Sequence, residues 1–184
     1  MDLSKRKPVR LPEHDYSAPG AYFVTVCTKD RRCILSNLTV GADALGGPNL
    51  QLTDTGKIVE KYILSTDRMP GFRVDKYVVM PNHIHMILRI ENGPPGASAP
   101  TNDPQTRAGE PSDRPKYAEG ASAPTVSDAV GALKRLVNRA LGQDIWQRSY
   151  HEHVIRNEND YREIWAYIDA NPAKWAEDRY YERF

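Results

Sequence analysis

The run FRVDKYVVMPNHIHMILRI, residues 72–90, limits the fold more than any other part of the chain. Two strand-length stretches flank Pro81-Asn82, a pair that favours turns, so the segment predicts a hairpin. Successive side chains of a strand point to opposite faces. Ile84, Met86, Leu88 and Ile90 therefore share one uniformly apolar face, made for a core. His83, His85, Ile87 and Arg89 share the other, which presents two imidazoles side by side.

The remaining elements follow from periodicity. AYFVTVC alternates Tyr22, Val24 and Val26 against Phe23, Thr25 and Cys27, a strand pattern rich in β-branched residues. GADALGGPNL reads as a Gly-rich connection. LTDTGKIVEKYILSTDR reads as a helix with Thr53 or Thr55 near its cap and Ile58, Val59, Tyr62 and Ile63 on one side. In TVSDAVGALKRLVNRALG, Thr125 and Asp128 suit a capping box, and Val126, Ala129, Val130, Leu133, Val137 and Ala140 make an apolar stripe. Lys134, Arg135, Asn138 and Arg139 form a basic strip on another face. DIWQRSYHEHVIR predicts a final strand. NENDYREIWAYIDANPAKW predicts a last helix, opened by Asn157 or Asn159 and stopped at Asn171-Pro172. Up to that helix the order is βαββαβ, an α+β class with a ferredoxin-like antiparallel sheet and helices on one face.

A chain of 184 residues fits one domain, here 1–184. Residues 91–124 are rich in Gly, Pro, Ala, Ser and Asp and carry GASAPT twice, at 96–101 and 120–125. So few large apolar groups cannot offset the entropy of ordering, so a flexible low-complexity insertion is expected there. No apolar run approaches the roughly 20 residues that span a bilayer, and the basic N-terminus has no apolar stretch of a signal peptide behind it. The scarce cysteines, Cys27 and Cys33, fit a reducing cytoplasm. With a formal net charge of +1, bulk charge gives no sign of nucleic-acid binding. Any such role rests on local clusters: Lys5 to Arg10, and Lys29, Arg31 and Arg32.

Two histidines at i and i+2 on one strand face can reach a single cation, and neutral imidazole ligates divalent transition metals. The plainer alternative is one buried hydrogen-bonding histidine and one exposed one. On the last helix, Tyr161, Ile164, Trp165 and Ile168 mark the core stripe. Tyr167 falls about 105° from its centre, with Asn171 one turn further on the same flank. His151 and His153 also alternate on a predicted strand, where polar surface residues are the preferred reading over a second metal site. Tyr161, another phenol on that helix, lies in the core stripe, which argues against a chemical role. Tyr180 and Tyr181 lie past the helix end, with nothing expected to fix them against His83.

MPNHIHMIL resembles the HUH motif of single-strand DNA transposases. YSAPGAYFVTVCTKDRR, LTDTGKIV, YVVMPNHIHMIL, SYHEHVIRNENDY and YIDANPAKW together resemble the REP-associated tyrosine transposases of the IS200-like superfamily. The resemblance runs from about Tyr16 to Trp175 without the insertion. It implies that His83 and His85 bind a divalent metal, Mg2+ or Mn2+, with Asn171 as the third ligand and Tyr167 as nucleophile. The implied activity is metal-dependent nicking and joining of single-stranded DNA through a 5′-phosphotyrosine intermediate, on repetitive extragenic hairpins. The chain is then expected to be a cytoplasmic monomer or homodimer with no membrane partner. Its DNA contacts are expected at Lys29, Arg31 and Arg32 and at Lys134, Arg135 and Arg139. Two alternatives stay open: a hairpin-binding protein of the same fold without catalysis, and a metal hydrolase with water as nucleophile.

Overall fold

A computed structural model describes residues 18–39, 48–91 and 125–181. In chain order these form β1 (Gly20–Cys27), β2 (Ser36–Thr39), β3 (Asn49–Leu52), α1 (Asp54–Ser65), β4 (Phe72–Val79), β5 (His83–Ile90), α2 (Val126–Leu141), β6 (His151–Ile155) and α3 (Glu158–Ala170). The expected insertion lies outside the described residues except for Glu91, and so does the basic N-terminal tract.

The main sheet has the order β4-β5-β1-β6, with every neighbouring pair antiparallel. α1 carries the chain from β1 across to β4, and α2 carries it from β5 to β6. That is the ferredoxin-like arrangement. The hairpin turns at Met80, Pro81 and Asn82, where the Met80 N–H bonds the His83 carbonyl at 2.9 Å.

Tyr22, Val24 and Val26 of β1 and Ile84, Met86, Leu88 and Ile90 of β5 build one core with Val59 and Ile63 of α1 and Val126, Ala129, Val130, Leu133 and Val137 of α2. Ala140, expected in that stripe, is exposed in the last turn of α2. Both helices start on built caps. Thr53 accepts from the Gly56 N–H at 3.0 Å, and Thr125 and Asp128 form the reciprocal capping box. Gly56 is required by space: a Cβ there would stand 1.9 Å from the Leu35 carbonyl oxygen.

Two features depart from the sequence-based expectations. Asn49 and Leu50 are not connection but part of β3, which pairs with β2 as a separate ribbon. The final strand is shorter than DIWQRSYHEHVIR, because Ile145 and Trp146 are buried in the core and only a single bridge, Thr28 to Trp146, precedes β6. The last helix, α3, expected to carry Tyr167 to the histidines, packs apart from α1 and α2. It crosses the opposite face of the sheet, the one carrying the histidines.

A bulge explains how α3 is held there. The β4–β5 register slips between Val74 and Lys76, so Asp75 is an extra residue and turns to the α3 side along with Lys76. Asp75 accepts Arg89 at 2.6 Å and the Tyr161 hydroxyl at 3.0 Å. Lys76 pairs with Asp169 at 2.5 Å and stands 4.8 Å from the Trp165 ring. The helix is thus anchored in both its halves. No helix among the described residues is long and apolar enough to cross a membrane.

Candidate active site

His83 and His85 are buried on the α3 face, and their Nε2 atoms stand 2.9 Å apart. Their other nitrogens are fixed. The Asn82 amide donates to the Tyr180 carbonyl at 2.8 Å, so its Oδ1 faces His83 Nδ1, also at 2.8 Å, and accepts that proton. His85 Nδ1 lies 2.8 Å from Thr25 Oγ1. With its Nδ1 protonated, His83 turns an Nε2 lone pair toward His85 Nε2 at 2.9 Å, where it can accept from that ring or ligate a cation.

The protonated forms are disfavoured. Burial, partly opposed by the Asp178 charge, holds the His83 pKa well below its ordinary value. Burial, the neighbouring His83 and Arg179 do the same to His85. Neutral imidazoles suit metal ligation.

Tyr167 projects from the flank of α3, 41% exposed, and its hydroxyl reaches within 3.4 Å of His85 Nε2. Its ring meets Phe23 edge-on at 5.9 Å and His85 at 5.3 Å. The hydroxyl donates to Asp178 Oδ2 at 3.3 Å. Burial, the Asp178 charge and that hydrogen bond push the Tyr167 pKa up to about 12.

Asn171 caps α3 and is buried, 2% exposed. It keeps helical dihedrals, so the helix ends because Pro172 has no N–H to continue the ladder, not because Asn171 is displaced. Its amide donates to Asp178 Oδ2 at 2.9 Å, and its Oδ1 is buried with no protein partner. An orphaned buried oxygen is costly unless a ligand satisfies it.

The donor set, two imidazole nitrogens with oxygens beside them, suits a divalent ion. Ligand atoms of His83, His85 and Asp178 lie within 4.8 Å of one another. Two cis ligands of an octahedral ion with bonds of about 2.1 Å stand about 3.0 Å apart, which matches the two imidazoles.

Asp178 was not among the expected residues. It follows the last helix, where no periodicity marks it. The same stretch overturns the expectation for Tyr180. Its ring packs 4.7 Å from His83, buried beside Trp175, which lies 5.8 Å from the same imidazole. Tyr181 packs on Trp175 at 5.3 Å. Tyr161 is occupied with Asp75, as its place in the stripe implied.

His151 shares the site face, opposite Thr25, 6.3 Å from the Tyr180 ring. His153 pairs with Asp160 at 3.0 Å. The two form no second cluster with a third ligand among the described residues. Of the expected DNA contacts, Lys29 and Arg32 are exposed and Arg31 turns to the site. Arg135 and Arg139 are exposed on α2, behind the sheet. Lys134 is corrected: its ammonium bonds the carbonyls of Gln147, Arg148 and Ser149, so it holds the loop before β6.

No protein-family model matches the chain. An uncharacterised protein of Haemophilus influenzae is 31% identical over 97% of this chain and 94% of its own length. The REP-associated tyrosine transposase of Escherichia coli K12 is 26% identical, over 86% of this chain and 70% of its own. A solved structure of a REP-associated tyrosine transposase bound to a REP hairpin shares the fold. Its TM-score is 0.57, at 24% identity over 92% of this chain and 76% of that one.

Proposed function

The chain belongs to the REP-associated tyrosine transposases of the IS200-like family, and on that premise we propose that it nicks and rejoins single-stranded DNA through Tyr167. The observation that carries this reading is the 3.4 Å approach of the Tyr167 hydroxyl to His85 Nε2, which brings a phenol on α3 to the paired imidazoles on β5.

His83, His85 and the orphaned Oδ1 of Asn171 would hold one divalent ion, Mg2+ or Mn2+. Bound there, the ion supplies Lewis acidity for a phosphodiester. The chain's own residues do the rest. Asp178 accepts from Asn171 and so sets which way the amide faces. It also accepts from Tyr167, and it takes the phenol proton as the Tyr167 oxygen forms its bond to phosphorus. The bond from phosphorus to the 3′ oxygen breaks, leaving a 3′ hydroxyl after protonation and a 5′-phosphotyrosine. A different 3′ hydroxyl reverses the step, giving its proton back through Asp178, and joins new DNA without ATP. Phe23 and His85 hold the phenol by edge contacts, which limits its rotation.

The substrate in this reading is a repetitive extragenic hairpin with flanking single strand, met in the cytoplasm. The test is incubation of a labelled hairpin oligonucleotide with the protein and Mn2+. A protein–DNA adduct resistant to denaturant is expected, and EDTA should prevent it. Tyr167→Phe should lose the adduct and keep binding. Binding by the native chain with no adduct in either metal would instead favour the hairpin-binding protein without catalysis.

A further inference from the structure

Nicking by Tyr167 moves two protons, and Asp178 is placed for one of them, accepting from the phenol at 3.3 Å. The other must reach the 3′ oxygen that leaves phosphorus, because an alkoxide departs poorly without a donor. In an in-line displacement that oxygen leaves on the far side of phosphorus from the attacking one. A donor for it belongs across the site from α3.

The sheet puts His151 there. α3 comes over the β4 edge, where Asp75 accepts the Tyr161 hydroxyl at 3.0 Å and Lys76 pairs with Asp169. β6 is the opposite edge of the order β4-β5-β1-β6. Thr25 stands opposite His85 on one side and His151 on the other, so the three form a row across the site face. Adjacent strands are about 4.8 Å apart, which separates the backbones of the two histidines by about 10 Å. That gap admits a phosphodiester with its attacking and leaving oxygens. The Tyr180 ring stands near both ends of the row, 5.9 Å from His85 and 6.3 Å from His151.

His151 is also available. His153, two residues on and on the same face, is committed to Asp160 at 3.0 Å. The His151 side chain is exposed, and among the described residues no hydrogen bond or ion pair engages it. Partial burial, then the Arg179 and Arg31 charges, hold its pKa below the ordinary value. The free protein therefore carries it neutral at pH 7, and the negative charge of a bound strand draws a proton onto it from solvent.

We propose that His151 is the general acid of the nicking step, giving its proton to the 3′ oxygen as the bond from that oxygen to phosphorus breaks. The proposal rests on the strand-nicking reading of Tyr167. The electron pair of the broken bond stays on the 3′ oxygen and takes up the proton. The Tyr167 oxygen then holds phosphorus, Asp178 holds the phenol proton, and His151 is left neutral.

The test compares two oligonucleotides in single turnovers with Mn2+, one native and one with sulfur replacing the bridging 3′ oxygen at the cut mapped for the native chain. A thiol is a far stronger acid than an alcohol, so a thiolate departs without a donor. His151→Gln and His151→Ala should slow adduct formation from the oxygen substrate by about 100-fold and leave the sulfur substrate near its native rate. His153→Gln should affect the two substrates alike. Equal slowing on both substrates in the His151 variants, no slowing on the oxygen substrate, or the same oxygen-selective loss in His153→Gln would overturn the acid role. The native adduct would still stand for the nicking chemistry in each of those cases. No adduct from either substrate with the native chain would instead sink the nicking reading, and the acid with it.

Discussion

The Tyr167 hydroxyl donates a 3.3 Å hydrogen bond to Asp178, a carboxylate eleven residues further along the chain on the far side of the helix end. The contact pulls in two directions. The negative charge opposes ionisation of the phenol and helps place its pKa near 12, yet the same oxygen is placed to take the proton during attack.

Asp178→Asn separates these effects. The Tyr167 pKa should fall from about 12, read by NMR of ring-labelled tyrosine in the metal-free protein. Adduct formation should nevertheless slow by about 100-fold, the usual cost of a lost general base. A faster reaction in the variant would assign Asp178 a purely inhibitory part.

Thr25→Val tests the orientation of His85. The substitution preserves shape but removes the oxygen 2.8 Å from Nδ1. Losing such an outer partner typically weakens metal binding by 10–100-fold. Mn2+ titration by calorimetry should show a loss of about that size with an unchanged fold. Full native affinity would mean that Thr25 does not orient His85.

The buried imidazoles also predict how the metal-free protein responds to acid. His83 titrates at about 4 in the folded chain, against 6.5 for a free side chain, so the unfolded chain binds the proton more readily. Stability from this group is complete above about pH 6.5 and is lost as pH falls toward 4. Thermal midpoints in EDTA should drop over that window by an amount worth a few kcal/mol, and His83→Gln should flatten the response. A native midpoint independent of pH between 7 and 4 would mean the rings are not buried neutral.

Much of this site is legible in the sequence, for physical reasons. The period of two puts His83 and His85 on one face against an apolar one, and the angle of 100° per residue puts Tyr167 at the flank of α3. What periodicity cannot show is where a segment without it returns. Asp178, Tyr180 and Trp175 follow the helix end, and only the folded chain reveals that they pack on His83. The β2–β3 ribbon escaped notice because SNLT and NLQL are short and carry few β-branched residues. Lys134 was misjudged because a long flexible side chain on a polar strip can turn inward to three carbonyls as readily as outward to phosphate.

Gly56 offers a stability test of the fold itself. Adding a methyl group would drive it into the Leu35 backbone, which has no rotamer to give. Gly56→Ala should destabilise the protein by about 1–3 kcal/mol or more in denaturant melts. Gly131→Ala meets only the tip of Arg135 at 3.1 Å and should be neutral or stabilising by up to about 1 kcal/mol through helix propensity. Equal effects at the two positions would contradict the packing of α1 on the Leu35 strand entry.

The identity of the nucleophile can be read directly from the covalent product. Tryptic cleavage places Tyr161, Tyr167 and Tyr180 in three different peptides, 157–162, 163–174 and 180–183, and the middle one holds Tyr167 as its single tyrosine. Mass spectrometry of the digested, nuclease-trimmed adduct should find the nucleotide phosphate on peptide 163–174. A nucleotide on either of the other peptides, or no modified peptide from a reaction that cleaves DNA, would contradict the account.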